Sequence, residues 1–355
     1  MSADDRLKAH IRAHGPLTVA QYMAWRLHDP HDGYYAARPA LGEDGDFITA
    51  PLVSQMFGEL IGLWAVQAWR GLGRPAAFAL VEAGPGDGTL MSDMLRAARL
   101  DPAFLAAADL WLVETSPVLR QAQGARLSGG PLVPRWADSL EDLPGERPIL
   151  LVANELLDCL PARQFVRTER GWAERMVGLD ADDALTFGMA ARPAGPDAPF
   201  AQPGDVVEVS PAQEAFAQAL GARIARQGGV ALLIDYGRDR PEAGDTLQAL
   251  RRHQKVSPLE AGADLTVHAD FPAVAAAAEA GGAKASAILP QGELLARLGL
   301  FERADALAKA RPDRADIIGR QLARLTAPEQ MGTLFKALAI HASQGPVPPG
   351  FEEHR

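Results

Sequence analysis

An α/β fold with a seven-stranded, mostly parallel sheet and helices on both faces is what this sequence predicts, and three observations predict it. Strand-like and helix-like segments alternate from about residue 78 onward, as they do in parallel sheets. The run Leu80-Val81-Glu82-Ala83-Gly84-Pro85-Gly86-Asp87-Gly88-Thr89-Leu90 reads as a buried strand, a tight glycine turn and a helix opening at Leu90, Met91, Met94 and Leu95. Further apolar runs end in polar or acidic residues, as strands do when their carboxyl ends face a ligand crevice.

Residues 5–30 show a helical spacing through Leu7, Ile11, Val19, Tyr22, Met23 and Leu27, giving an N-terminal helical region. A glycine-flanked loop, Gly42 to Pro51, leads to a long amphipathic helix from about Val53 to Gly71. The expected strands are 78–83, 109–114, 131–134, 148–153 and 230–235, with a last pair at about 284–289 and 335–341. Gln164–Met189 alternates like a β-hairpin and reads as an insertion after the fourth strand. Leu294–Leu325 reads as a helical insertion near the C-terminus, broken by a turn at Arg311-Pro312-Asp313. The expected organisation is 1–75, helical region and site loop; 76–345, main domain with insertions at 162–192 and 290–334; and 346–355, a tail.

The glycine turn is shaped for a nucleotide-like cofactor. Gly84, Gly86 and Gly88 remove the Cβ atoms that keep a ligand from the backbone, and the helix behind them presents unpaired N–H groups. A dinucleotide fingerprint wants a third glycine where Thr89 stands. Glu82 favours a ligand carrying cationic sulfonium and ammonium groups over a pyrophosphate, which it repels. The expectation is therefore S-adenosyl-L-methionine, with Glu82, Gly84, Gly86, Gly88 and Thr89 around it. Glu114 closes the next strand, where an acid accepts hydrogen bonds from ribose hydroxyls.

The second informative stretch is Asn154-Glu155-Leu156-Leu157-Asp158-Cys159-Leu160-Pro161. Asn154 is placed beside the cofactor at the end of the fourth strand. Glu155 and Asp158 lie three apart, so one helical turn puts both carboxylates on one face. They serve either as catalytic groups or as acids complementing a helix start. Asp46 and Thr49, in the glycine-flanked loop, are a further candidate group. Asp138 and Asp235 end strands, and each either reaches the crevice or caps its strand.

Composition narrows the classes. Net charge is −10, which argues against nucleic acid as the main partner. Arg251-Arg252-His253-Gln254-Lys255 reads as a solvated surface face. The single cysteine, Cys159, excludes an intrachain disulfide and CxxC sites. His28-Asp29-Pro30-His31-Asp32 lacks a committed ligand set, so no metal is expected. No apolar stretch approaches a membrane span, and the acidic start resembles neither a secretory nor a mitochondrial leader, which gives a cytoplasmic expectation.

Taken in order, Gly15-Pro16-Leu17-Thr18-Val19, Gly33-Tyr34-Tyr35, Gly45-Asp46-Phe47-Ile48-Thr49-Ala50-Pro51, Glu82 to Thr89, Asn154 to Pro161, Asp235-Tyr236-Gly237 and Asp264 to Phe271 resemble the MidA family. These are class I S-adenosylmethionine-dependent methyltransferases related to the mitochondrial complex I assembly arginine methyltransferase. The resemblance spans about residues 10–340. It implies the class I (Rossmann-like) methyltransferase fold and methylation of an arginine in a respiratory complex I subunit, giving symmetric dimethylarginine. Glu155 and Asp158, with Asp46 as a third, then become the groups that grip and deprotonate the guanidinium. Two departures stand out: Asp87, where the family often has Arg and which makes the turn more acidic, and Leu156-Leu157, where an aromatic or second apolar residue is typical. Three rival readings are a small-molecule methyltransferase of the same fold, a non-catalytic S-adenosylmethionine-binding assembly factor, and a NAD-dependent dehydrogenase.

Overall fold

The structure, a computed structural model, describes residues 2–37, 49–192 and 195–352. The chain opens with α1 (Ala3–His14), β1 (Leu17–Thr18), α2 (Val19–His28) and α3 (Tyr34–Ala37). Ser2 with Asp5, and Thr18 with Gln21, form reciprocal capping boxes that start α1 and α2. After α4 (Ala50–Val53), the Ser54 hydroxyl caps the long helix α5 (Gln55–Gly71).

The sheet then begins: β2 (Phe78–Ala83), α6 (Thr89–Ala98), α7 (Pro102–Ala107), β3 (Ala108–Val113), α8 (Pro117–Leu127), β4 (Arg135–Ala137) and β5 (Ile149–Asn154). Next come β6 (Arg163–Thr168), β7 (Gly171–Leu179), β8 (Leu185–Arg192), β9 (Val206–Val209), α9 (Pro211–Gln227) and β10 (Gly229–Arg238). A small sheet of β11 (Gln248–Arg251), β12 (Gln254–Val256) and β13 (Asp264–Thr266) precedes β14 (Ala269–Asp270) and α10 (Phe271–Ala280). The chain closes with β15 (Lys284–Ala285), β16 (Leu289–Pro290), α11 (Gln291–Arg297), α12 (Leu300–Ala310), α13 (Ala315–Thr326) and β17 (Phe335–His341).

Seven strands run β15-β17-β10-β5-β2-β3-β4, with β14 and β16 pairing short stretches of β10 and β17. The five from β10 to β4 are mutually parallel, and β17 runs antiparallel between β10 and β15. This is the class I methyltransferase arrangement. Both faces are buried, so β2 and β5 are apolar almost throughout. Phe78 and Leu80 pack with α5 and α6, while Ala79, Val81 and Ala83 pack with residues of α9 and α10 on the other face.

Three expectations need correction. The strand expected at 131–134 is β4, at 135–137: Pro131 and Pro134 have no N–H for a ladder, and Val133 is exposed. The strand expected at 284–289 is two short pieces, β15 and β16, parted around Ser286. The hairpin at 164–189 is the meander β6-β7-β8, and β1 and β9 join it to make five strands. β1 reaches this sheet because Leu7, Ile11, Tyr22, Met23 and Leu27 share a core with Cys159, Val177 and Leu265. The N-terminal helices therefore pack on the insertions rather than on the central sheet. The basic cluster at Arg251 is the tip of the β11–β12 hairpin, with Arg252 and His253 both at positive φ as a two-residue turn requires.

Candidate active site

A cavity of about 480 Å³ opens at the carboxyl ends of β2, β3 and β5, the switch region where doubly wound sheets bind ligands. One end is made by Gly84 and Gly86 after β2, Val113 and Glu114 after β3, and Asp138 to Glu141 after β4. The other holds Thr49, Glu155, Asp158 and Asp264, with His28 and Tyr35 from the N-terminal segment.

The first end suits an adenosine-bearing ligand. Gly84 and Gly86 sit at φ +68° and +55°, where side chains are strained, and a Cβ on Gly84 would lie 2.9 Å from Leu156 Cδ1. Glu114 Oε1 accepts from the Ser116 N–H (2.8 Å) and Oε2 from Gln123 Nε2 (3.2 Å), which leaves a second lone pair on each oxygen for ribose hydroxyls. Gln123 was missed in the sequence. It is fully buried on α8, also donates to the Gly86 carbonyl (2.8 Å) and accepts from Trp136 Nε1 (2.8 Å), tying the turn to β3 and β4. Val113, Leu119 and Leu140 offer apolar surface to a base. Asp138 stands at the rim, exposed and paired with Arg120.

Gly84, Gly86, Glu114, Asp138, Thr49, Glu155 and Asp158 thus come together around one cavity. Glu82, Gly88, Thr89 and Asn154 do not border it. Glu82 follows Phe78 and Leu80 onto the α5–α6 face, where it meets the Met91 N–H; burial and nearby Asp87 push its carboxyl well above the usual range. Its carboxyl is therefore not among the groups that the structure brings to the cavity. Gly88, at φ +83°, abuts Gln123 and starts α6, and the Thr89 N–H is capped by Asp87 Oδ1 (3.0 Å). Asp87 does not make the ligand side more acidic, because its other oxygen pairs with Arg126 of α8 (2.7 Å). Asp46 lies outside the described residues.

At the second end, Glu155 occupies φ +53°, a left-handed conformation rare for a side chain of this size. Its N–H is held by the Ile234 carbonyl (2.9 Å), and Oε1 accepts from the Ala50 N–H and from Asn154 Nδ2, both 3.0 Å. Burial raises its pKa to about 7, with Asp158 adding to the rise and those two donors opposing it. Burial likewise raises Asp158 to about 6, against the Tyr236 hydroxyl and the Cys159 N–H. Asp235 resolves the alternatives left open for it. From β10, just past the stretch paired with β5, its Oδ2 accepts from the Leu157 and Asp158 N–H groups (2.8 and 3.2 Å), so it pins the turn that carries both acids. His28 Nε2 meets the Cys159 carbonyl (3.1 Å). Asp29 and Asp32 pair with Arg6, and among the described residues no group of His, Cys, Asp and Glu is arranged to hold a metal.

Fold and glycine-turn site together define a class I S-adenosylmethionine-dependent methyltransferase. Comparison with known proteins narrows this. Residues 60–289 match the family described as "Putative S-adenosyl-L-methionine-dependent methyltransferase". The chain is 35% identical to the mitochondrial protein arginine methyltransferase NDUFAF7 of Danio rerio over 366 residues, covering 94% of this chain and 85% of that protein. It is 36% identical to the Drosophila melanogaster mitochondrial homologue over 371 residues, covering 94% and 84%. A crystal structure from Burkholderia thailandensis, bound to S-adenosyl-homocysteine, superposes with TM-score 0.87 at 26% identity, covering 99% of this chain and 94% of that one. The chain belongs to this family, the MidA/NDUFAF7 methyltransferases, and S-adenosyl-L-methionine is its cofactor. The cytoplasmic expectation is corrected by the same finding, because these curated relatives are mitochondrial proteins. Among the described residues no helix is long and apolar enough to cross a membrane.

Proposed function

We propose that this protein transfers methyl groups to an arginine side chain of a protein, a respiratory complex I subunit, with symmetric dimethylarginine as the product. The observation that carries this reading is the charge of the cavity. Glu114, Asp138, Glu141, Glu155, Asp158 and Asp264 border it, and among the described residues no lysine or arginine does. A cation is the guest such a cavity favours. The NDUFAF7 relatives, named protein arginine methyltransferases, support the choice of arginine, and the complex I subunit is what the sequence resemblance implies.

S-adenosylmethionine supplies an electrophilic methyl on a sulfonium when it is bound. The chain's own residues prepare the acceptor. A guanidinium stays protonated in water at every working pH, so its nitrogen must be aimed and relieved of a proton as the new bond forms. Asp158 and Glu155 accept its N–H groups, which pulls both carboxyls down into the ionised state. Net transfer releases one proton, and Glu155, which burial lifts further than Asp158 (about 7 against about 6), is the more basic of the two and accepts it. The Ala50 N–H and Asn154 amide hold the carboxylate in place during this exchange.

The test is incubation of the purified protein with methyl-labelled cofactor and isolated complex I, followed by mass spectrometry. The expected outcome is label on arginine, absent in Glu155→Gln. Protein that binds S-adenosylhomocysteine yet labels no arginine overturns the reading; label on a small-molecule extract instead selects its nearest rival.

A further inference from the structure

Asp264 is not part of the central sheet. It starts β13, in the small sheet packed against the N-terminal helices, and yet it is buried and borders the cavity. Asp158 and Asp264 both act on Tyr35 and Cys159, so they share the second end of the cavity while arriving from different parts of the chain. The Tyr35 hydroxyl donates to Asp264 Oδ1 (3.3 Å). Tyr35 is itself held on two sides, stacked on His28 (5.8 Å between ring centroids) and met edge-on by Tyr34 (5.2 Å). We propose that Asp264, steadied by Tyr35, is a specificity-determining residue that accepts from the acceptor guanidinium, so that the N-terminal segment takes part in choosing the substrate. This rests on the arginine reading above.

The chemistry of the guest demands a third acceptor. A guanidinium presents five N–H donors in one plane, and each left unpaired in a buried site is costly. Glu155 Oε1 already accepts from Ala50 and Asn154. Asp158 brings one more carboxylate to the same end. These two carboxylates, one of them partly occupied, do not match five donors, and Asp264, which Tyr35 steadies, is the third acid at the same end. An ammonium has only three donors, set tetrahedrally on one nitrogen, and gains less from acids spread across a cavity wall. Tyr35 and His28 border the cavity as well. Those two rings come from residues that precede the methyltransferase sheet, which places acceptor choice outside the scaffold that holds the cofactor.

The experiment uses the full chain with an arginine peptide from the labelled subunit and its lysine counterpart. KM and kcat are measured for the wild type, Asp264→Asn and Tyr35→Phe, alongside calorimetric binding of S-adenosylhomocysteine. Asp264→Asn is expected to raise the arginine-peptide KM about 10- to 100-fold, the scale of a hydrogen bond to a charged group, with S-adenosylhomocysteine affinity within about twofold. The ratio of arginine to lysine turnover falls with it. Tyr35→Phe deletes one oxygen and is expected to raise KM about threefold, which keeps the test open if the Asn variant folds poorly. Unchanged KM in folded variants of an active enzyme shows that Asp264 only anchors Tyr35, and overturns the proposal alone. A wild type that binds S-adenosylhomocysteine but methylates no arginine instead overturns the reading beneath it.

Discussion

The two ends of the cavity are built on opposite plans. The cofactor end is local and relaxed: one turn of three glycines, a strand-end acid and the helix behind it, with Glu114 and Asp87 each tied to protein donors. The acceptor end is assembled from distant pieces of chain and is under strain. Glu155 is left-handed, Asp158, Asp235 and Asp264 are buried, and His28 and Tyr35 come from before the sheet. Binding a cofactor asks only for shape and backbone, whereas activating a guanidinium asks for charges held where water would otherwise neutralise them. The difference predicts that stability and activity oppose each other at one end and agree at the other.

The largest effect tests that opposition. Glu155→Gln is expected to lower kcat by about 10³-fold while cofactor affinity stays within about threefold, as loss of a general base does. Stability moves the other way. The folded pKa of Glu155 is raised to about 7 from 4.5, so its ionisation works against the fold once pH exceeds the unfolded value, and the penalty is complete above the folded one. Gln removes that penalty. Thermal melts should show little gain at pH 4, where the acid is mostly protonated in both states, and a rise of about 4 °C at pH 8, on the order of 3 kcal/mol. The wild-type rate itself should climb between pH 6 and 7 as Glu155 and Asp158 ionise. A variant that loses activity and gains no stability at pH 8 breaks the contrast.

At the relaxed end the two quantities should fall together. Gly84→Val puts a branched side chain at φ +68° and a Cβ against Leu156. Calorimetry should show S-adenosylmethionine binding weakened about 100-fold, with a melting temperature several degrees lower. Wild-type affinity in this variant would mean that the turn does not touch the ligand. Asp235→Asn sharpens the other end without touching the cavity lining. It keeps the shape but turns one of two accepting oxygens into a donor, facing either the Leu157 and Asp158 N–H groups or that of Tyr236, and kcat should fall about 10-fold with cofactor affinity unchanged.

This contrast also explains what the sequence disclosed. The glycine turn was legible because strand, turn and helix are contiguous there. Glu155 and Asp158 also border one cavity, but not through the helical turn that their spacing suggests: no helix lies between β5 and β6, and Glu155 is left-handed. The register of Glu82 was legible too. It shares the face of Phe78 and Leu80 by the two-residue period of a strand, and its chemical appeal for a sulfonium obscured that. Asp264, Tyr35 and His28 were not legible as a site, since nothing in their spacing says that β13 and the N-terminal segment close over the end of β5. β4 was displaced because its apolar run, Leu132-Val133, lies between prolines that a ladder cannot use.

The smallest expected effect settles which way the turn faces. Asp87 stands in the middle of the cofactor loop, where a free carboxylate would act on a bound ligand. Its oxygens are committed elsewhere: one caps the Thr89 N–H and the other pairs with Arg126, whose Nε also binds the Asp87 carbonyl (3.0 Å). Its work is therefore to fasten α6 to α8 behind the ligand. Asp87→Ala should cost about 1 kcal/mol of stability, the scale of a lost helix cap with a half-exposed ion pair, and should change S-adenosylmethionine affinity less than threefold. That affinity should also be nearly independent of salt, because the Asp87–Arg126 pair points away from the cavity. An affinity change of tenfold or more in this variant would place the Asp87 carboxylate on the ligand side, and the cofactor end would then depend on charge as the acceptor end does.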